Sequence, residues 1–230
     1  MRTNGAPLRV SLPAVLLLMT VASGVVDALS YLRFGHVFIS NMTGNIVFLG
    51  FAAAGAPGLS PSRSVVALAC FLAGSFVVGR AVAPLRGHAA RLLFVCVICE
   101  ALLAALVLLV AAVAGTGDGA IWTAIVLLSL GMGAQNAAAR KVAIPDLTTT
   151  VVTLTLTGIA SELVEDLAGG KPAPRLVRRA GAVIAMLAGA FFGAMLSLHA
   201  GTPAAIALLL ALLAVAAILA LPHASAETPG

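Results

Sequence analysis

The chain has 230 residues and a mass of 22.9 kDa; 61% of the residues are apolar, 9% are charged and the mean hydropathy is +1.14. Soluble domains carry about a quarter of their residues as Asp, Glu, Lys and Arg, so a water-exposed fold is excluded and the solvent is lipid. Thirteen basic against eight acidic residues give +5. With no basic patch interleaved with aromatics, that excess marks cytoplasmic loops rather than a nucleic-acid partner.

Each crossing of a bilayer takes about 20 apolar residues, which leaves room for six to eight membrane helices. The first apolar segment, 10 to 32, follows Arg2 and Arg9 and runs past any signal-peptidase site, so it is expected to stay as a membrane helix. Within it Ser23, Asp27 and Ser30 share a helical face. An unpaired carboxylate is costly in lipid. Asp27 is therefore either a proton or cation coupling site, protonated or paired with Arg33, or a hydrogen-bond partner for the next segment.

That second segment, 38 to 56, opens with Ser40-Asn41-Met42-Thr43-Gly44-Asn45 and is not a clean span. Asn41, Thr43 and Asn45 at the start of a half-helix suit either a small polar or anionic solute or capping and interhelical bonds. The third segment is 64 to 84; the fourth, 90 to 114, carries Cys96, Cys99 and Glu100. The two cysteines, like Cys70, sit among apolar residues and read as packing groups without metal or redox chemistry. Glu100 is an isolated intramembrane acid and so a candidate functional group.

The fifth segment, 119 to 139, ends in Gln135 and Asn136, with Arg140 one turn later as either an anion attractor or a boundary anchor. The sixth, 146 to 164, again opens with polar residues. Its Thr150, Thr153, Thr157 and Ser161 form a stripe that either lines a pore or bonds its own backbone. In the seventh, 176 to 199, Gly181, Ala185, Gly189 and Gly193 recur every four residues and invite a close helix, from this chain or from a second copy in a homodimer. The eighth is 203 to 221, and residues 222–230 read as a disordered tail.

Charge tests the topology. If all eight segments cross, the basic residues divide almost evenly between the two sides. If the second and sixth enter and return, only Arg33 and Arg63 stay outside. The preferred arrangement has six crossings, two re-entrant or broken segments, and both termini cytoplasmic.

The halves also echo each other. Leu72-Ala73-Gly74-Ser75-Phe76 matches Leu187-Ala188-Gly189-Ala190-Phe191, and Gly24 with Asp27-Ala28 precedes one polar segment as Gly133 with Asn136-Ala137 precedes the other. Residues 1–114 and 115–221 are expected to be related membrane repeats, inverted 3+3 in the preferred topology and parallel 4+4 in the alternative.

Across nearly its whole length the chain resembles the YoaK-like family of bacterial inner-membrane proteins. The resemblance rests on Gly24-Val25-Val26-Asp27-Ala28-Leu29-Ser30-Tyr31, Gly35-His36-Val37-Phe38, Asn41-Met42-Thr43-Gly44-Asn45, Gly133-Ala134-Gln135-Asn136-Ala137 and Thr148-Thr149-Thr150. It implies a multi-pass protein of unknown function in the bacterial inner membrane, with no site residues to carry over. His36, His88, His199 and His223 join no catalytic or metal motif, and no phosphate-binding loop is present, so neither an enzyme nor a cofactor is expected. The reading is an all-α polytopic protein acting as an ion-coupled secondary transporter of a small polar or anionic solute, with a structural or assembly role as the alternative. In it Asp27 is the coupling acid, and Ser30, Asn41, Thr43, Asn45, Gln135, Asn136, Thr150, Thr153, Arg140 and Glu100 complete the candidate site.

Overall fold

A computed structural model describes residues 12–81, 88–142, 152–168 and 174–226. Among them the chain is all helical: α1 (Leu12–Arg33), α2 (Met42–Ala53), α3 (Pro61–Ala81), α4 (Ala89–Ala114), α5 (Asp118–Val142), α6 (Val152–Ala168), α7 (Pro174–His199) and α8 (Thr202–Ala226). Six of these, all but α2 and α6, are long and apolar enough to cross a membrane. At 1.5 Å per residue the 12-residue α2 reaches about 18 Å, short of the about 30 Å hydrocarbon core. Pro61 and Pro174 open α3 and α7, where a missing N–H costs nothing. Gly35, at φ 85°, and His36, at φ 58°, take the left-handed turn that ends α1. α8 runs through Pro222 to Ala226, so the tail expected from residue 222 is helical over its first five residues. A proline this close to a helix end disrupts few backbone bonds.

Side-chain clasps at one end of the bundle fix the path of the chain. From the last turn of α1, Arg33 donates through Nε to the Ser197 carbonyl near the end of α7, at 2.9 Å, and through Nη2 to the same oxygen. Arg63, at the start of α3, donates to the Phe34 carbonyl at 3.2 Å and pairs with Asp118 at the start of α5 at 2.6 Å. Its guanidinium also sits 5.8 Å from the Trp122 ring centre. The segment holding α2 therefore leaves and returns at the same end. Because α5 starts and α7 finishes at this end, the segment holding α6 leaves and returns at the other. Six span-length helices with two short re-entrant ones is the arrangement the charge count favoured.

Packing crosses between the halves. The broadest helix contacts are α1 with α7 and α3 with α5, while α4 lies against α8 and α5, and α1 against α8. The short helices lean outward, α2 on α3 and α6 on α7. Glycines allow the two main crossings. A methyl group on Gly24 would lie 2.5 Å from the Met186 carbonyl oxygen and 2.7 Å from the Ala190 nitrogen; one on Gly193 would lie 2.7 Å from the Val25 Cα. Gly133 and Gly74 abut the backbones of Phe71 and Leu130 in the same way. The glycine stripe of α7 is thus filled by α1 of the same chain, the first of the two alternatives, and the possible homodimer face through Gly181, Ala185, Gly189 and Gly193 is corrected: Gly189 meets the Val21 backbone and Gly181 the Leu17 side chain. Outward-facing Phe76, Val113, Leu154, Leu187 and Ile218 are left for lipid.

Gly133→Val drives a branched side chain into the Phe71 backbone, which cannot rotate away. It is expected to cost more than the about 1–3 kcal/mol of ordinary overpacking, seen as lost monodisperse protein in detergent chromatography. Gly79→Val, with open space beside it, leaves the elution profile unchanged.

Candidate functional site

The second segment is not helical until Met42, midway through its polar opening. Residues 34–41 turn back into the bundle as irregular chain, and α2 begins only at Met42. Unpaired backbone at this depth needs partners from the protein, and Asp27 supplies them. Its Oδ1 accepts the N–H groups of Ile39 at 3.0 Å and Ser40 at 2.7 Å, and its Oδ2 accepts the Ser40 hydroxyl at 2.6 Å. Asn45 completes the hold from the first turn of α2: Oδ1 accepts the Phe38 N–H at 2.9 Å while Nδ2 donates to the Phe38 carbonyl at 2.6 Å. Tyr31, Phe38 and Phe48 stack beside this clasp, with ring centres 5.3 and 5.6 Å apart. Gly44 makes room for the Phe38 ring, 2.5 Å from where its Cβ would stand. In the Asn41-Met42-Thr43-Gly44-Asn45 string, the glycine and last asparagine therefore build the turn.

The first three residues face a cleft of about 730 Å³. Asn41 precedes α2 without making a side-chain capping bond, so the first turn of that helix opens on the cleft uncovered. Across from it stand Val152 and Thr153, the first turn of α6, with Phe71 of α3 and Met186 of α7 as walls. The cleft thus brings the starts of both short helices together. Helix starts carry unsatisfied N–H groups and positive dipole ends, and Thr43 and Thr153 add hydroxyls.

The sequence-derived candidates separate into three groups. Asn41, Thr43 and Thr153 line the cleft. Asp27, Ser30 and Asn45 build the turn beside it; Ser30 donates to the carbonyl of Asp27 itself at 3.2 Å. Asp27 does not pair with Arg33, whose guanidinium is on the Ser197 carbonyl. Glu100 and Gln135 lie elsewhere, buried between helices with Ser23. Asn136 donates to the Met132 carbonyl of its own helix at 2.8 Å, and Arg140 is exposed at the end of α5. Thr150 lies outside the described residues. Of the described members of the threonine stripe, Thr157 and Ser161 bond their own helix's carbonyls and Thr153 reaches the cleft. Sequence reasoning missed Phe71 and Met186. The signal was present, since each immediately precedes one of the two matching strings at Leu72 and Leu187.

A family described as proteins of unknown function, DUF1275, matches residues 15–219. The chain is also 35% identical over 158 residues to the UPF0700 transmembrane protein YoaK of Bacillus subtilis (strain 168), covering 67% of each chain. The chain belongs to the DUF1275 family. No solved structure matches it. In this DUF1275 protein the turn at residues 34–41 and the two short helices are thus features of a multi-pass membrane fold whose activity the family leaves open.

The clasp has a measurable weight. Asp27→Ala strands two N–H groups and a hydroxyl and is expected to lower stability by about 3 kcal/mol or more. Asp27→Asn keeps a carbonyl oxygen for both N–H groups and needs only the Ser40 hydroxyl to turn, at about 1 kcal/mol. Thermal unfolding in detergent ranks the two; equal stability for both variants would show that the carboxylate does not hold the turn.

Proposed function

We propose that this protein is a secondary permease, not an enzyme, that moves a small polar or anionic solute through the cleft between α2 and α6, driven by an ion gradient. The observation that carries the reading is the meeting of two short-helix starts at one cleft. Residues from the two halves line it in matched pairs: Met42 with Val152, Thr43 with Thr153, and Phe71 with Met186. Its volume is within the about 300–1,000 Å³ usual for small-molecule sites. Broken or short helices that aim their N-terminal ends at a shared site are a recurring device of transporters built from inverted repeats.

The exchanged helix packing supports such a repeat. If residues 1–114 and 115–221 are related by an in-plane two-fold axis, α1 with α7 and α5 with α3 are one contact made twice, as are α2 with α3 and α6 with α7. The glycines agree, with Gly24 and Gly133 on one side of that contact and Gly189 and Gly74 on the other. Under this reading the membrane is the bacterial inner membrane and both termini are cytoplasmic. Arg80, Arg91, Arg140, Lys141, Arg178 and Arg179 belong to the helix ends opposite the Arg33 and Arg63 clasps, and such an excess marks the inner face. The competing reading, a structural or assembly protein, draws on Asp27 and Asn45, whose polar groups are consumed inside the fold.

Orientation is checked by side-specific labelling of single cysteines at His88 and Gly117 in a cysteine-free background. The expected outcome is labelling of His88→Cys only from the cytoplasmic side and of Gly117→Cys only from outside. Transport is checked by uptake of a panel of small anions and neutral polar solutes into proteoliposomes. Thr43→Val and Thr153→Val each remove a hydroxyl from the cleft and are expected to cut uptake about tenfold, the equivalent of about 1.4 kcal/mol. Thr157→Val, one turn beyond the cleft, should leave uptake intact. Equal uptake by all three folded variants would remove the two cleft threonines from the solute path, and uptake no greater than in protein-free vesicles would favour the structural role.

A further inference from the structure

A second polar group is buried away from the cleft. Glu100 of α4 is 1% exposed, Gln135 of α5 is fully buried, and so is Ser23 of α1. The Gln135 amide lies between the other two. One of its terminal atoms is 2.6 Å from Glu100 Oε2 and 3.2 Å from Oε1, and the other is 3.2 Å from Ser23 Oγ. Ser23 Oγ in turn is 3.0 Å from the Met19 carbonyl.

The amide fits this slot either way round, and the proton count at Glu100 decides which way is satisfied. With a proton on Oε2, the acid donates across 2.6 Å to the amide oxygen, the amide nitrogen donates to Ser23 Oγ, and the Ser23 hydroxyl donates to Met19. Every hydrogen in that chain runs from α4 toward α1. Without the proton, two bare oxygens would face each other at 2.6 Å, so the amide must turn. Its nitrogen then donates to both carboxylate oxygens, its oxygen accepts the Ser23 hydroxyl, and the bond to Met19 is given up. We infer that Glu100, Gln135 and Ser23 form a reversible proton-binding site in which loss or gain of one proton turns the Gln135 amide and reverses a hydrogen-bond chain reaching from α4 through α5 to α1.

The surroundings suit that chemistry. Gly131 of α5 packs beside the Glu100 side chain, with 3.2 Å from the Glu100 Cγ to where a Cβ would stand. No described basic side chain forms an ion pair with Glu100. The charged residues of α5 stand at its ends: Asp118 pairs with Arg63 at one, and Arg140 and Lys141 are exposed at the other. On α4 itself the nearest titratable groups are Cys96, buried one turn earlier, and the adjacent Cys99, which is exposed. The only titratable residue in α8 is His223, in its last turn. Asp27 makes a poor alternative, because its carboxylate already accepts three hydrogen bonds that hold the turn. The proton site stands on this geometry alone. Its use as the coupling site rests on the permease reading.

The test is pH-induced infrared difference spectroscopy of the protein in lipid bilayers, a readout independent of transport. The expected result is a carboxylic-acid C=O band that titrates together with a side-chain amide band, both lost in Glu100→Gln. Gln135→Leu should keep the acid band, shift its titration midpoint and lose the amide band. Should Glu100→Gln fail to fold, Glu100→Asp assigns the acid by moving its band. An acid band that survives in Glu100→Gln, a Glu100 band that does not change with pH, or an amide band that stays still would each overturn the proposal. A titrating pair of bands in a protein that moves no solute would leave the proton site standing and remove the permease reading.

Discussion

Everything near the cleft depends on a carboxylate that holds backbone rather than solute. Lipid offers no hydrogen bonds, so a chain that turns back at membrane depth must have its N–H groups satisfied by its own side chains. Asp27 does this for Ile39 and Ser40, and Asn45 does it for Phe38 in both directions. With the turn held, α2 has a defined start, and its first residues can face open space rather than be used up in capping.

The second constraint is how closely the helices cross. Among apolar helices in lipid there is little hydrophobic drive to associate, and packing contact does the work. Gly24, Gly189 and Gly193 bring α1 and α7 into backbone contact, and Gly74 and Gly133 do the same for α3 and α5. Each crossing seats the wall residue three positions before its glycine, Phe71 before Gly74 and Met186 before Gly189, at the cleft. The residues that lock the scaffold and those that shape the cleft are therefore neighbours in sequence on the same two helices.

Much of this was legible from residues alone. Hydropathy marked eight apolar segments, the six long helices among them, and the distribution of Arg and Lys favoured the return of the second and sixth, because a re-entrant path changes which side each later charge occupies. What could not be read was how polar groups pair. Asp27 and Glu100 look alike as lone acids in apolar runs, yet one is saturated by backbone and the other meets a single amide. Spacing along one helix says nothing of which helix comes opposite. The stripe on α7 stayed open for the same reason: small residues every fourth position announce a close neighbour without saying whose.

The division of labour between the two acids follows from those partners. A carboxylate that accepts two N–H groups and a hydroxyl would have to release the turn to change its charge, at the cost of several broken bonds. A carboxyl facing an amide gives up only the Ser23 bond to the Met19 carbonyl, because the amide offers a donor at one end and an acceptor at the other. Reversal at Gln135 ends on Ser23, one turn before Asp27 on the same helix. Of the two, only the Glu100 arrangement can change its charge without dismantling the turn that borders the cleft.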